Sequence, residues 1–304
     1  MLKITAESEF SDSAVCFCDI IEPKLKCKEV HLLNENIKDK IGEILLSYGI
    51  TEWGTCQFES VLPLLECKAM ERIPQNAKSI IVCLFPYKLT EYPDNLNISK
   101  YAVVKDYHTV TAEILTPVSE KLKELFGGEY AVFADNSPIR EVKAASLAGL
   151  GRVGLNKLII NDRFGSYVFI GEIVTTLDIE CEVKDIKNCI MCRECMRKCP
   201  GGAIGENGID TDKCLSHITQ KKGEITEYEE KLIAQNGTIW GCDVCSDVCP
   251  MNKNRETKPI GKFLEDLSFN IDFELTNKEL RKKAYGFRGK KVLERNAEIL
   301  SKNK

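Results

Sequence analysis

The chain lacks a long apolar run. No stretch approaches the roughly 18 residues that a membrane-spanning helix needs. Its first ten residues carry Lys3, Glu7 and Glu9 in place of an apolar core, so no secretory signal peptide is expected. Strong net charge is missing too. Lys and Arg number 42 against 46 Asp and Glu, a formal −4, which carries no global signature of nucleic-acid binding. Histidine is scarce, with three in 304 residues. Residues 1–30 lack clear periodicity, although Cys16, Cys18 and Cys27 fall there.

Cysteine is abundant, with 15 residues. Cys189, Cys192, Cys195 and Cys199 stand at C-x2-C-x2-C-x3-C, followed by Pro200. Cys214 comes next, then Cys242, Cys245 and Cys249 at C-x2-C-x3-C, followed by Pro250. A cubane needs thiolates at the corners of a tetrahedron. Three cysteines spaced by two residues can wrap one cluster, and the fourth points to the other, as in two-cluster ferredoxins. This logic predicts two 4Fe–4S clusters. Cys189, Cys192, Cys195 and Cys249 would hold one, and Cys199, Cys214, Cys242 and Cys245 the other. Each proline turns the chain away from its cluster. The alternative is a pair of four-cysteine zinc sites, which usually show two separated C-x2-C pairs. A disulfide framework does not suit a chain without a secretory signal. The seven other cysteines are Cys16, Cys18, Cys27, Cys56, Cys67, Cys83 and Cys181, and they read as ordinary thiols in a reducing cytoplasm.

With 43% hydrophobic and 29% charged residues, the composition is that of a globular protein long enough for two domains. Helical spacing begins with Asn34 as cap and continues through Ile37, Ile41, Ile44, Leu45 and Tyr48 to Gly49. Strands are expected at Trp53–Phe58, Ser79–Phe85, Tyr130–Ala134, Leu158–Ile160 and Tyr167–Val174. A long helix ends near Phe126, with a kink expected at Pro117. Asp135 follows a strand, and Pro138 opens a helix to Leu150. Strand and helix thus alternate ahead of the cysteines, an α/β pattern with a ferredoxin-like domain appended. Between Lys278 and Lys304, ten Lys or Arg face three Glu, a local +7. That segment is either a solvated helix face or a surface that tracks RNA phosphates.

Three stretches carry a resemblance: KYAVVKDYH at 100–108; DNSPIREVKAASLAGLGRVG at 135–154, continued by Asn156 and GSYVFIGEI at 165–173; and CLSHIT at 214–219 with WGCDVCSDVCPMN at 240–252. Together they resemble the epoxyqueuosine reductase family, whose members complete queuosine on tRNA. The resemblance implies an α/β cobalamin-binding domain, similar to that of reductive dehalogenases, beside the two-cluster ferredoxin-like domain. It implies base-off cobalamin between them, electrons passing singly from the clusters, and tRNA as a partner. Reduced ferredoxin or flavodoxin would be the electron donor, with no membrane involved.

By the same resemblance Asp135 would be the general acid at the leaving oxygen. To act so near neutral pH it would have to stay protonated through burial against an apolar surface, which a corrin face would provide. On the residues alone, DNSP is equally a helix-capping sequence. Asp106, Tyr107 and His108 form a second candidate site, since Tyr and His can donate to an oxygen or a corrin amide. Asn156, Ser166, Ser216 and His217 are further candidates for cofactor contact. Gly149, Gly151 and Gly154 would admit a close cofactor or serve turns. The expected divisions are an extension at 1–30, the α/β domain at 31–180, the cluster domain at 181–255 and a basic helical segment at 256–304. The helical-repeat region found at the C-terminus of full-length family members is not expected here. A two-cluster electron carrier, or a reductase of a partner's corrinoid, is the alternative. About 180 residues ahead of the cysteines, a full domain's worth, speak against a plain carrier.

Overall fold

The computed structural model describes residues 37–182 and 184–302. The Asn34 cap and Cys16, Cys18 and Cys27 lie outside them. A helix, α1 (37–47), precedes strand β1 (Trp53–Gln57). Strand β2 (Ser79–Pro86), helix α2 (Tyr107–Phe126), strand β3 (Tyr130–Ala134) and helix α3 (Glu141–Leu147) follow. Two short strands pair as β4 (Arg152–Val153) and β5 (Ile159–Ile160), and β6 (Val168–Thr175) completes the main sheet.

The sheet order is β1-β2-β6-β3, and every neighbouring pair is antiparallel. The alternation of strand and helix nevertheless has a consequence. Both β2 and β3 run antiparallel to β6, so they run parallel to each other, as strands joined by a crossover helix should. β6 fills the gap between them, a split β-α-β unit. The carboxyl ends of β2 and β3 still lie at one edge, but the amino end of β6 lies there as well, and so does the first turn of α2.

Both sheet faces are covered, which explains why β2 and β6 read as continuous apolar runs. Successive side chains point to opposite faces. Ile81, Cys83 and Phe85 of β2 join a core with Ile41 and Leu45 of α1 and Val110, Ile114 and Leu115 of α2. Ile80, Val82 and Leu84 join a second core with Ala144 and Ala145 of α3. Each Ile, Leu, Val and Phe side chain among them, fully buried, contributes on the order of 1.5–3 kcal/mol by leaving water.

The cysteine-rich region is built from short pieces: α4 (Glu194–Lys198), the β7 (Ile204–Gly205) and β8 (Gly208–Ile209) hairpin, α5 (Leu215–Ile218), α6 (Glu227–Asn236) and α7 (Val244–Asp247). Helices α4 and α7 each carry one cysteine of a C-x2-C-x3-C run, and they pack together. Trp240 is fully buried in the core shared with α2, and its Nε1 donates to the Tyr101 hydroxyl at 2.8 Å. Asp243 accepts from Ser99 Oγ at 2.6 Å and from the Lys100 amide at 2.7 Å.

Two helices, α8 (Asn277–Leu280) and α9 (Lys290–Lys302), close the described chain. Phe263, Tyr285 and Leu293 enter the same core as α1 and α2. Asn296 is fully buried, and its Nδ2 donates to the carbonyls of Thr219 and Ile239, each at 2.8 Å. Arg295 donates to the carbonyls of Lys221 and Gly223. Part of the basic segment thus holds the cysteine-rich region in place. Replacing Asn296 by Ala leaves two buried carbonyls without a donor, so Asn296→Ala should cost about 2 kcal/mol. Denaturant unfolding of the cluster-loaded chain checks this, and an unchanged midpoint would contradict it.

Candidate active site and cluster sites

α2 begins at the same sheet edge where β3 ends. Its N-cap is Asp106, whose side chain accepts from the Thr109 amide, so Tyr107 and His108 stand on the first turn. Asp135 follows β3 with φ 56°, a left-handed conformation that Asp tolerates better than most side chains. Helix α3 starts only at Glu141. Asp135 is therefore not its cap, and the capping reading is set aside. The helix also ends before Leu150, at Leu147. α2 contains Pro117 within one continuous helix.

His108 stands between two carboxylates. Its Nδ1–H donates toward Asp106 Oδ1 at 3.2 Å, and its Nε2–H toward Asp135 Oδ2 at 3.3 Å. Hydrogen bonds to Asp106, and then to Asp135, push its pKa up to about 9. Asp135 is shifted the opposite way: its bond with His108 holds the carboxyl below its ordinary value, and Tyr107 adds to the effect. The carboxyl is 64% exposed and ionised beside an imidazolium. One proton is held by the pair, and at neutral pH it sits on His108.

Tyr107 stacks on Phe169 of β6, with centroids 4.2 Å apart and planes 7° from parallel. His108 lies against its other face at 4.0 Å. Tyr107, His108 and Asp135 line a cavity of about 900 Å³, with Tyr101, Phe169 and Phe287 among its apolar walls. That volume is near the top of the range for small-molecule sites. Asp106 does not line it. It acts from behind His108, as a cap and a hydrogen-bond partner.

A second cavity of about 360 Å³ shares Tyr101, Leu158, Ser166, Val168 and Phe169 with the first. Its far side carries Cys199, Cys214, Cys242 and Cys245, with Asn156 and Ser216 beside them. The other four thiols, Cys189, Cys192, Cys195 and Cys249, line a separate small void that Asn156 also borders. Among the described residues no three His, Cys, Asp or Glu side chains converge as they would on a single ion. The thiols ring voids instead, which suits clusters. His217 is exposed on α5 and borders neither cavity, so the structure leaves it outside the group.

Ser166 is buried at the amino end of β6. Asn252 Nδ2 donates to its Oγ at 2.7 Å, and its amide donates to Asn252 Oδ1 at 2.9 Å. Gly151 and Gly154 serve tight local packing: a Cβ on Gly151 would meet the Ile160 carbonyl at 2.5 Å. Sequence reasoning missed Glu141, which lines the large cavity, and Glu172, buried in β6. Only Glu172 gave a signal, as a lone charge inside the apolar run VFIGEIV.

Titration of His108 tests the electrostatics. A raised folded pKa means the charged imidazole is favoured below its ordinary value and lost as pH rises through about 9. The depressed Asp135 carboxyl keeps its charge until pH falls below its ordinary range. NMR of the imidazole should therefore give a midpoint near 9, lowered by Asp135→Asn. A wild-type midpoint at an ordinary histidine value would contradict the geometry.

Among the described residues, no helix is long and apolar enough to cross a membrane. A family model described as a 4Fe–4S double cluster binding domain matches residues 188–252, so the chain carries two 4Fe–4S clusters and the zinc alternative falls. The model described as epoxyqueuosine reductase QueG, DUF1730, matches residues 68–136. Epoxyqueuosine reductase of Lactococcus garvieae is 34% identical over 242 residues, covering 73% of this chain and 68% of the relative. That of Cyclobacterium marinum is 35% identical over 189 residues, covering 60% and 61%. The chain thus spans about two thirds or less of the length of these relatives. The solved structure of epoxyqueuosine reductase from Streptococcus thermophilus superposes with a TM-score of 0.72 at 28% identity, over 88% of this chain and 81% of that one. A crystal structure of an epoxyqueuosine reductase with an epoxyqueuosine-modified tRNA-Tyr stem loop shares the fold, with a TM-score of 0.76 at 23% identity, over 89% and 82%. On this likeness, and on the double-cluster region matched beside it, the chain belongs to the epoxyqueuosine reductase family.

Proposed function

We propose that this chain reduces epoxyqueuosine in tRNA to queuosine, using cobalamin bound base-off in the large cavity. The observation that supports this most is the cavity's position. One side presents the His108–Asp135 pair, and another opens toward the Cys199, Cys214, Cys242 and Cys245 ring. A flat amphipathic macrocycle fits apolar walls with a few polar groups. Tyr101, Tyr107, Phe169 and Leu158 would hold its faces, with Ser166 at its polar edge and Asn156 and Ser216 beyond it in the second cavity. When bound, cobalamin supplies the reducing centre that meets the epoxide carbon. A carrier that only passes electrons has no use for such a cavity.

The ligand sets we assign are the four thiols of each void. Ile190 and Met191, beside the first set, are 61% and 48% exposed. Electrons from reduced ferredoxin or flavodoxin would enter there and pass to the second set, which borders the cavity. The protein's own part is protonic. Opening the epoxide releases its oxygen as water, which takes two electrons and two protons. Asp135 faces the cavity and receives its proton from His108, and Asp106 holds the imidazole in orientation. Asp135 then gives the proton to the leaving oxygen.

Anaerobic turnover on an epoxyqueuosine-containing tRNA stem loop tests the reading. The cobalamin-loaded chain should form queuosine, and Asp135→Asn should lower the rate by about 100-fold or more while both clusters remain. No queuosine from the loaded chain overturns the reading. Wild-type turnover in Asp135→Asn removes Asp135 from it.

A further inference from the structure

Behind the Asp135 loop lie two carboxyls outside the His108–Asp135 pair. Glu172 is fully buried in the middle of β6. It is in register with Val82 of β2 and Phe133 of β3, both apolar and both packed toward α3. The Ser137 hydroxyl donates to Glu172 Oε2 at 2.8 Å, and Oε1 has no hydrogen-bond partner among the described residues. Glu141, in the first turn of α3, lines the large cavity, and its Oε1 is likewise buried without a hydrogen-bond partner among the described residues.

The surroundings favour neutral acids. An ionised carboxylate short of donors in an apolar core is strongly disfavoured, and the group protonates instead. Glu141 is faced by Glu172, Asp135, Tyr107 and His108. Glu172 is faced by Ser137 and, from β1, by the Cys56 thiol. Other nearby cations are engaged elsewhere. Lys143 donates to the Leu62 carbonyl, and Arg72 lies over the Phe133 ring. His108 is shared between Asp106 and Asp135. Burial, reinforced by the neighbouring Glu172 charge, pushes Glu141 up to about 9, and burial alone pushes Glu172 up to about 7.

Epoxide reduction consumes two protons, and the His108–Asp135 pair holds one. We propose that Glu141 and Glu172 form a proton store behind Asp135, with Glu141 delivering the second proton and Glu172, held by Ser137, keeping Glu141 protonated. Once Asp135 has given the first proton to the leaving oxygen, the O–H bond of Glu141 breaks. Its proton passes to the Asp135 carboxylate, which lines the same cavity, and a solvent proton later restores Glu141. No electrons move in this step. The use of the store rests on the reductase reading; its existence does not.

Infrared spectra of the cluster-loaded chain across the neutral pH range decide the matter without substrate. A protonated-carboxyl C=O band is expected at pH 7, reduced in Glu141→Gln and in Glu172→Gln. Glu141 sits at the cavity wall, so Glu141→Gln stays informative if the core variant fails to fold. In steady state, Glu141→Gln should slow turnover about 10-fold or more, with the alkaline limb of the pH profile moved to lower pH. Absence of the band in wild type, or a band unchanged in Glu141→Gln, overturns the store. Loss of the band with wild-type turnover and pH profile overturns its role in feeding Asp135. A wild-type chain that shows the band but reduces no epoxide upholds the store and removes the reductase reading instead.

Discussion

The insertion of β6 between β2 and β3 is the constraint on which the rest depends. The crossover through α2 makes β2 and β3 parallel, and a third strand must fill the gap between them. That strand brings its amino end to the edge where β2 and β3 finish. Ser166, Val168 and Phe169 therefore arrive beside Asp135 and beside the first turn of α2. The same insertion carries Glu172 into the centre of a sheet covered on both faces, where a charged carboxylate is poorly accommodated. One topological fact thus builds the cavity, stacks Phe169 against Tyr107, and buries an acid behind the Asp135 loop.

Beside the buried Trp240, a set of hydrogen bonds fastens the cluster region to this edge. Asn252 binds Ser166, Asp243 binds Ser99 and Lys100, and the Tyr167 hydroxyl donates to Asp247 at 2.6 Å. Gly241 is required at this seam. Its φ is 74°, and a Cβ would meet Ser99 Cβ at 2.5 Å. Bonds of this kind depend on direction, so they fix the distance between the second thiol ring and the cavity. Asn296 of α9 fastens the cluster region from its other side. The seam explains why the stretches around residues 100, 166 and 243 carry the family resemblance together: each contributes one side of it.

Much of this was legible in the sequence. The apolar run of β2, the strand at Tyr130–Ala134 and the long helix to Phe126 were marked by local pattern, because burial leaves its period in the residues. Cysteine spacing showed the eight thiols, since a cluster imposes its geometry on a short segment. The antiparallel insertion of β6 was not legible, because pairing between distant strands leaves no local period. Asp135 stands out in the sequence, but the group that governs its charge does not. The partner that sets it, His108, lies 27 residues earlier, and only the fold brings the two together. Asp106 and His217 were grouped with cofactor contacts by sequence proximity to good candidates, and the fold separates them from the cavity. Asn252 and Asn296 were missed altogether, since a buried amide looks like any other polar residue until its carbonyl partners are known.

In the large cavity, cobalamin would lie next to the second cluster. The most direct measurement is anaerobic. The chain is reconstituted with iron and sulfide, mixed with hydroxocobalamin, desalted and gently reduced for EPR. A retained base-off cob(II)alamin signal alongside both clusters is the result the structure predicts. Loss of all cobalamin on desalting, with both clusters intact, would contradict it.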